Sequence, residues 1–257
     1  MDARAVREIR ERFDADVRAT PPAQVGRVTA WFDGVLRHTG SYNFIDWWDF
    51  GPERALEIAA REAAFYRPLG DLKWKVYDHD APANLAEALA AAGLHAAGRE
   101  TFMALDLDEM AAWPAGPAGV EARRVTDRAG VEDMVAVTEA AFDDARTWDV
   151  DGLAARLVDP TLSIYVAYVD GRPVSSGRLE YFPGTPFAGL YGGGTRPEAR
   201  GRGVYRAVVA ARAAEARRAG CRYLAVDARD TSRPILERLG FQAVGKLTSW
   251  RLPAEGS

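Results

Sequence analysis

Three consecutive glycines, Gly192-Gly193-Gly194, lead through Thr195-Arg196-Pro197-Glu198 into Arg200-Gly201-Arg202-Gly203-Val204-Tyr205, and this stretch is the part of the chain best suited to bind an anion. Gly201 and Gly203 let the backbone approach a ligand with no Cβ in the way. Arg200, Arg202 and Arg206 bring positive charge to the same place. An apolar run with β character, Phe187 to Tyr191, enters the stretch, and an Ala- and Arg-rich helical pattern, Val204 to Ala219, leaves it. A Gly-rich turn between a strand and a helix gathers N–H groups that have no intrahelical partner at the positive end of the helix dipole, and such a point attracts phosphate. On these residues alone, a solvated Gly-Arg turn ahead of a helix is the alternative.

The composition sets the bounds within which that chemistry works. A chain of 257 residues is one large domain or two of ordinary size, and 48% hydrophobic with 27% charged residues is globular. A net charge of −4 argues against nucleic acid as a partner, so a local arginine cluster points to a small anionic ligand. The single cysteine, Cys221, forms no internal disulfide, and His38, His79 and His95 show no metal-ligand spacing with it, so no metal is expected. Charges run throughout residues 1–12, and no apolar run approaches the ~18 residues of a membrane span. A cytoplasmic protein with no membrane partner is the expectation.

The elements that must position the loop follow from periodicity. Val6, Ile9, Phe13 and Val17 predict an amphipathic opening helix that Thr20-Pro21-Pro22 stops. Asp33-Gly34 is a hairpin signal, followed by the aromatics Tyr42, Phe44, Trp47, Trp48 and Phe50, read as core with one or two free to line a pocket. A helix is predicted from Gly51-Pro52-Glu53 to Tyr66, a half-buried strand over Leu72 to Tyr77, a short helix over Asp80 to Gly93 and a strand over Arg99 to Leu107. The Pro/Gly-rich run Trp113-Pro114-Ala115-Gly116-Pro117-Ala118-Gly119 reads as a linker, dividing the chain into 1–111, 112–119 and 120–257. Beyond it come a strand over Val120 to Val125, a helix capped by Thr126 or Asp127, and a shorter helix opened by Asp149 or Asp151. Strands over Leu162 to Tyr168 and Pro173 to Phe182 are joined by Asp170-Gly171. After the long helix, a strand over Arg222 to Asp227, a short helix over Ser232 to Leu239 and a strand over Phe241 to Leu252 complete the order.

Sliding residues 72–107 onto 219–254 with a constant shift of 147 superposes Asp80 on Asp227, Leu89 on Leu236, Gly93-Leu94 on Gly240-Phe241, Gly98 on Gly245 and Thr101 on Thr248. A unit of strand, helix, glycine and strand occurs twice. The same shift puts Glu53, Arg54 and Leu56 where Arg200, Gly201 and Gly203 stand, so the first copy lacks the loop.

Residues 120–252 resemble the GCN5-related N-acetyltransferase (GNAT) superfamily. Arg200-Gly201-Arg202-Gly203-Val204-Tyr205 is similar to its signature of Arg or Gln, two residues, Gly, one residue, then Gly or Ala, with Tyr205 where the small residue stands. Thr195-Arg196-Pro197-Glu198 looks like the family's lead-in, and Ile235-Leu236-Glu237-Arg238-Leu239-Gly240-Phe241 like its closing helix and Gly-Phe. The resemblance implies an α/β (α+β) GNAT fold: a mixed, largely antiparallel central sheet flanked by helices. The N-terminal half looks like a partial, degenerate copy, as in tandem members.

The resemblance also implies a reaction. Acetyl-CoA would be the cosubstrate, with its pyrophosphate on the amides of Gly201 to Arg206, its pantetheine along Gly193, Gly194 and Thr195, and Arg200, Arg202 and Ser232 completing the cofactor set. Glycine within a strand marks a bulge or a close approach, which suits that role. An amine, most simply that of a small molecule, would attack the thioester directly, with the carbonyl polarised by a backbone N–H near Thr195. An alkylammonium with a pKa of about 10 needs a base or a water chain. Glu180, on the strand before the cofactor strand, is the leading base, with Tyr181 second and Asp227 also weighed; Glu180 and Tyr181 face opposite sides. The family's general-acid tyrosine falls at Leu236, which donates no proton, so Tyr205, Tyr223, Ser232 or an unassisted thiolate are the alternatives. An acyl-CoA sensor or a protein N-acetyltransferase are the competing functions, and a monomer or homodimer the expected states.

Overall fold

A computed structural model of the chain describes residues 3–19, 30–32, 36–39, 44–69, 72–110, 116–142 and 149–252. The Thr20-Pro21-Pro22 stop, the Asp33-Gly34 turn, Tyr42 and the Trp113-Pro114-Ala115 part of the linker lie outside these residues. The chain divides into two compact units, neither continuous in sequence. One unit comprises residues 1–103, 227–234 and 242–257, the other 104–226 and 235–241.

The first unit opens with α1 (Ala3–Phe13), which continues as one π-helical stretch over Asp14–Arg18. Ile9, Phe13 and Val17 are its buried stripe, at the spacing the sequence predicts. Strands β1 (Ala30–Phe32) and β2 (Leu36–Thr39) pair antiparallel on either side of the Asp33-Gly34 position. Three more elements, β3 (Phe44–Trp48), α2 (Ala55–Tyr66) and β4 (Leu72–Tyr77), follow. Helix α2 buries Ile58, Ala59, Glu62, Ala63 and Tyr66, a helical repeat against Ile45, Trp48, Leu72 and Trp74 of the strands. Helix α3 (Leu85–Ala91) ends at Gly93, whose φ of +92° only glycine adopts cheaply, and β5 (His95–Asp106) begins at once.

The last strand of the chain, β11 (Gln242–Leu252), also lies in this first unit. It pairs antiparallel with β4 from Leu247↔Tyr77 to Leu252↔Leu72, and it buries Leu252 in the α2 core. The hydrogen-bonded order is β1-β2-β3-β4-β11-β5. Reading along the sequence places β11 with the second half, so this exchange is a tertiary finding.

The second unit holds β6 (Val120–Arg124), α4 (Arg128–Phe142), α5 (Val150–Ala155), β7 (Leu162–Val169) and β8 (Arg172–Tyr181). It continues with β9 (Phe187–Thr195), α6 (Val204–Arg218), β10 (Tyr223–Ala228) and α7 (Arg233–Arg238), although the last two residues of β10 and the first two of α7 fall in the first unit. Asp127 accepts from the Gly130 N–H, and Asp149 caps α5 by accepting from Gly152 N–H. The β7–β8 hairpin turns on Asp170 and Gly171, both at positive φ, as an Asp-Gly turn requires. The strand order is β10-β9-β8-β7-β6, antiparallel except for the parallel β10·β9 pair. Helices α4 and α6 cover the two faces of this sheet.

Candidate functional site

The site is built around the second half of β9. Ser176 is opposite Gly194 and Arg178 opposite Tyr191, so Gly192 and Gly193 together face the single residue Gly177. This two-against-one step is a β-bulge, and Gly192 takes it up with a φ of +59°. On its other edge β9 pairs with β10 only from Phe187↔Tyr223 to Gly189↔Ala225. Leu190 to Thr195 therefore run beyond that register, with the bulge in their midst.

The chain then makes one 3-10 turn at Pro197–Ala199, passes through Arg200 in an extended conformation, and reaches α6 through two left-handed glycines. Gly201 has a φ of +73° and Gly203, at the helix N-cap, a φ of +78°. No side chain caps α6, so its first N–H groups face outward. A Cβ placed on Gly201 would meet nothing within 4 Å, whereas one on Gly203 would come within 2.7 Å of Pro117 Cγ. Val204 anchors the turn by packing with Val174 and Ala199.

The arginines divide the work. Arg200 donates from Nε to the Thr195 carbonyl at 3.3 Å and from Nη2 to the Ala141 carbonyl at 3.0 Å, which ties the loop to the end of α4. Arg202 and Arg206 are exposed. Ser175 Oγ donates to the Gly194 carbonyl at 2.7 Å and lies 2.9 Å from Thr195 Oγ1, fixing the end of the strand.

The bulge glycines separate two faces. A Cβ on Gly194 would collide with Ala141 and Phe142 of α4, and one on Gly193 with Tyr205 of α6, 2.9 Å from its ring. Both neighbours therefore require glycine. Beneath Gly193 lies Arg212, fully buried on α6, with Nε donating to the Val208 carbonyl at 3.2 Å and Nη1 to the Arg178 carbonyl at 2.9 Å. Among the described residues its Nη2 makes no hydrogen bond of good geometry, and the side chain that partners the guanidinium is Tyr205. Burial pulls the Arg212 guanidinium down to about 10, partly offset by Tyr205, so it remains charged at neutral pH. Burial raises Tyr205, and Arg212 opposes that shift.

Glu180 and Tyr181 lie on opposite faces, as strand alternation dictates. Glu180, on the α4 face, accepts from Arg178 Nε at 3.0 Å and keeps 29% of its side chain exposed. Arg178 reaches the bulge, its Nη1 3.0 Å from where a Cβ on Gly192 would stand. Tyr181, on the α6 face, donates to Glu215 at 3.1 Å, and burial together with that carboxylate raises its hydroxyl. Glu215 also accepts from Ser163 at 2.5 Å and from Tyr165; burial opposes ionisation, but these hydroxyls hold the carboxyl below its usual value. Tyr181 thus belongs to a hydroxyl cluster around Glu215.

The other candidates are occupied elsewhere. Tyr223 is buried and stacked on Phe187 at 5.0 Å, and Leu236 is a core residue with no exposure. Asp227 and Ser232 fall in the first unit. There Asp227 holds Lys75 Nζ at 2.9 Å and the Tyr77 hydroxyl at 3.4 Å, and Ser232 Oγ donates to the Arg229 carbonyl. Asp143, Asp144 and Trp148, acidic and aromatic residue types that suit a cationic or aromatic amine as well as a solvated loop, lie outside the described residues. Among the described residues no group of three or more His, Cys, Asp or Glu is placed to hold a metal ion, and no helix is long and apolar enough to cross a membrane.

The loop, the bulge and the strand order come together in one stretch, and that stretch matches the acetyltransferase (GNAT) family over residues 128–241. Residues 128–241 belong to the GNAT family. No curated protein matches the sequence. The whole fold is similar to a GCN5-related N-acetyltransferase from Kribbella flavida, with 16% identity, a TM-score of 0.68, and coverage of 98% of this chain and 96% of that one. A putative GNAT-family acetyltransferase from Novosphingobium aromaticivorans aligns over 99% of this chain and 100% of its own, with 16% identity and a TM-score of 0.60. A tandem GNAT protein from the clavulanic acid biosynthesis pathway aligns over 86% of this chain and 78% of its own, with 20% identity and a TM-score of 0.57. At these identities the likeness is one of fold: mixed α/β, with mostly antiparallel strands flanked by helices.

Of three further residues around the GNAT loop, two escape a reading by sequence. Ser175 and Arg178 carry no local signal, since their roles are set by a partner strand. Arg212 does carry one: it stands four residues after Val208, among Val209, Ala213 and Ala216, on the buried stripe of α6, where an arginine breaks the pattern.

Proposed function

We propose that this protein is an acetyl-CoA-dependent N-acetyltransferase whose acceptor is the amine of a small molecule. The observation that carries this reading is the pair of left-handed glycines, Gly201 and Gly203, opening an uncapped helix directly after a bulged glycine strand. Open space over Gly201 and exposed Arg202 and Arg206 fit a pyrophosphate. When bound, acetyl-CoA supplies an activated acyl carbon.

The chain's own residues do the rest. The amides from Gly201 to Arg206 hold the pyrophosphate, and the bulge from Gly192 to Gly194, stiffened by Ser175, offers backbone to the pantetheine arm. A strand N–H near Thr195 polarises the thioester carbonyl. Glu180, partly exposed and paired with Arg178, stands opposite Gly189, five residues along β8 from Ser175, the partner of Thr195, so it receives the ammonium proton through a chain of water. Arg200 is a positioning residue, holding the loop to α4. The first unit contributes a partial copy of the same fold, consistent with a tandem arrangement.

Calorimetric titration with CoA, followed by thiol release from acetyl-CoA in the presence of a panel of small amines, tests the reading. Binding with amine-dependent thiol release is expected. One observation favours a second reading: Leu236 occupies the family's acid position and is sealed in the core. Tight CoA binding with no thiol release by any amine would mark the protein as an acyl-CoA sensor. No CoA binding would overturn both readings.

A further inference from the structure

The buried guanidinium of Arg212 is unexplained by packing. A charge taken out of water is costly unless paired, and an arginine with no carboxylate beside it in the interior calls for a physical reason. The charged and titratable groups acting on Arg212 are Tyr205 on its own helix and Arg178 on β8, the latter a second cation. From β9 it is Gly193 that approaches the guanidinium, with no side chain of its own, while Gly192 faces Arg178 and Gly194 faces α4. Nη2 of Arg212, which among the described residues makes no hydrogen bond of good geometry, stands 3.6 Å from the point where a Cβ on Gly193 would lie; the Tyr205 hydroxyl, held by the Arg212 guanidinium through a side-chain hydrogen bond, stands 3.3 Å from the same point. Two donors, one of them cationic, thus converge under the bulge of the proposed pantetheine strand.

We propose that Tyr205 and Arg212 form the site that stabilises the departing sulfur of CoA, Tyr205 donating a hydrogen bond to it and Arg212 acting behind Tyr205 as a positioning residue. This rests on the acetyl-CoA reading. In the step it serves, the acceptor nitrogen forms a bond to the acyl carbon, the C–S bond breaks, and its electron pair leaves on sulfur as a thiolate. The amine proton passes to Glu180 or solvent, so neither Tyr205 nor Arg212 changes its protonation state. Such a site makes a protein tyrosine at the position of Leu236 unnecessary. It also accounts for Tyr205 standing where the signature has a small residue: the ring fills the space under Gly193 and brings its hydroxyl to the bulge.

The test needs no acceptor. A site that favours thiolate lowers the pKa of bound CoA below the free value of about 8.5, so CoA affinity rises with pH and levels off above that value, tenfold for each unit of difference. Calorimetric Kd values for CoA and for acetyl-CoA, which has no ionisable thiol, are compared across this range, with thiolate absorbance of the complex as a second readout. The expected result is a CoA affinity that gains about tenfold with pH relative to acetyl-CoA. In Tyr205→Phe the gain falls below about threefold, and in Arg212→Lys it lies between the two. Tyr205→Phe keeps the test decisive if Arg212→Lys does not fold. Equal pH dependence for CoA and acetyl-CoA, or an unchanged gain in Tyr205→Phe, would overturn the assignment. Failure of the wild-type protein to bind either ligand would instead overturn the acetyl-CoA reading.

Discussion

Glu180 accepts a hydrogen bond from Arg178 Nε at 3.0 Å, two residues earlier on the same strand and on the same face. Arg178 also reaches the bulge at Gly192, and the ion pair holds the carboxylate in one orientation. If Glu180 receives the amine proton, Glu180→Gln lowers the rate of acetyl transfer by about 10²- to 10⁴-fold while CoA affinity stays unchanged. Steady-state thiol release and calorimetry on the same variant check this. An unaltered rate removes Glu180 from the reaction.

The two loop glycines differ in what surrounds them. Both sit at positive φ, a conformation that costs a residue with a Cβ about 1–2 kcal/mol. Gly203→Ala adds a 2.7 Å contact with Pro117, whereas Gly201→Ala enters open space. Thermal unfolding should therefore show Gly203→Ala clearly less stable than Gly201→Ala. CoA binding should weaken in both. Equal melting temperatures would mean that Pro117 does not pack on the loop as described.

Histidine chemistry in the first unit makes a pH prediction. His79 Nε2 lies 2.7 Å from Asp14 Oδ2, and although burial opposes the charged form, Asp14 raises His79 above its ordinary value. Asp14 is held below its own usual range by His79 and Arg18, again against burial. A raised histidine stabilises fully below its unfolded pKa of about 6.5 and loses that contribution as pH rises through the folded value. The Asp14 contribution is instead present above about 4 and lost as pH falls through its lowered folded value. Wild-type protein should consequently lose more stability than His79→Gln between about pH 6 and pH 8. Denaturant midpoints at both pH values measure the difference, and parallel losses would show the pair to be uncoupled from folding.

Lys73 supplies a chemical test. Burial, then the neighbouring Lys75, lowers its ammonium to about 8, beside the Phe44 ring at 5.3 Å. The chain has three lysines, Lys73, Lys75 and Lys246. Near pH 8 a large share of Lys73 is neutral, against under about 1% for a lysine of ordinary pKa. Brief amine-specific labelling followed by peptide mapping should modify Lys73 about tenfold faster than the exposed Lys246. Faster modification of Lys246 would place Lys73 out of reach of reagent or at its ordinary pKa.

Short-range patterns in the sequence determined most of the elements and the character of the loop. The apolar spacing of α1, α2 and α6, the Asp-Gly turn at Asp170 and Gly171, and the glycines at 93, 201, 203 and 240 each act through neighbouring residues, so their consequences are local. The run Gly192-Gly193-Gly194 announced a bulge for the same reason, and strand alternation set Glu180 and Tyr181 on opposite faces.

Tertiary structure decided what depends on partners distant in sequence. It drew β11 onto β4, with Trp250 opposite Trp74, because strand pairing is selected by the complete set of apolar faces and not by chain order. It engaged Asp227 with Lys75 and Tyr77, Tyr181 with Glu215, and Glu180 with Arg178. Above all it carried Arg212 into the interior beneath Gly193, where removal from water gives one guanidinium an influence that its place in an Arg-rich helix does not disclose.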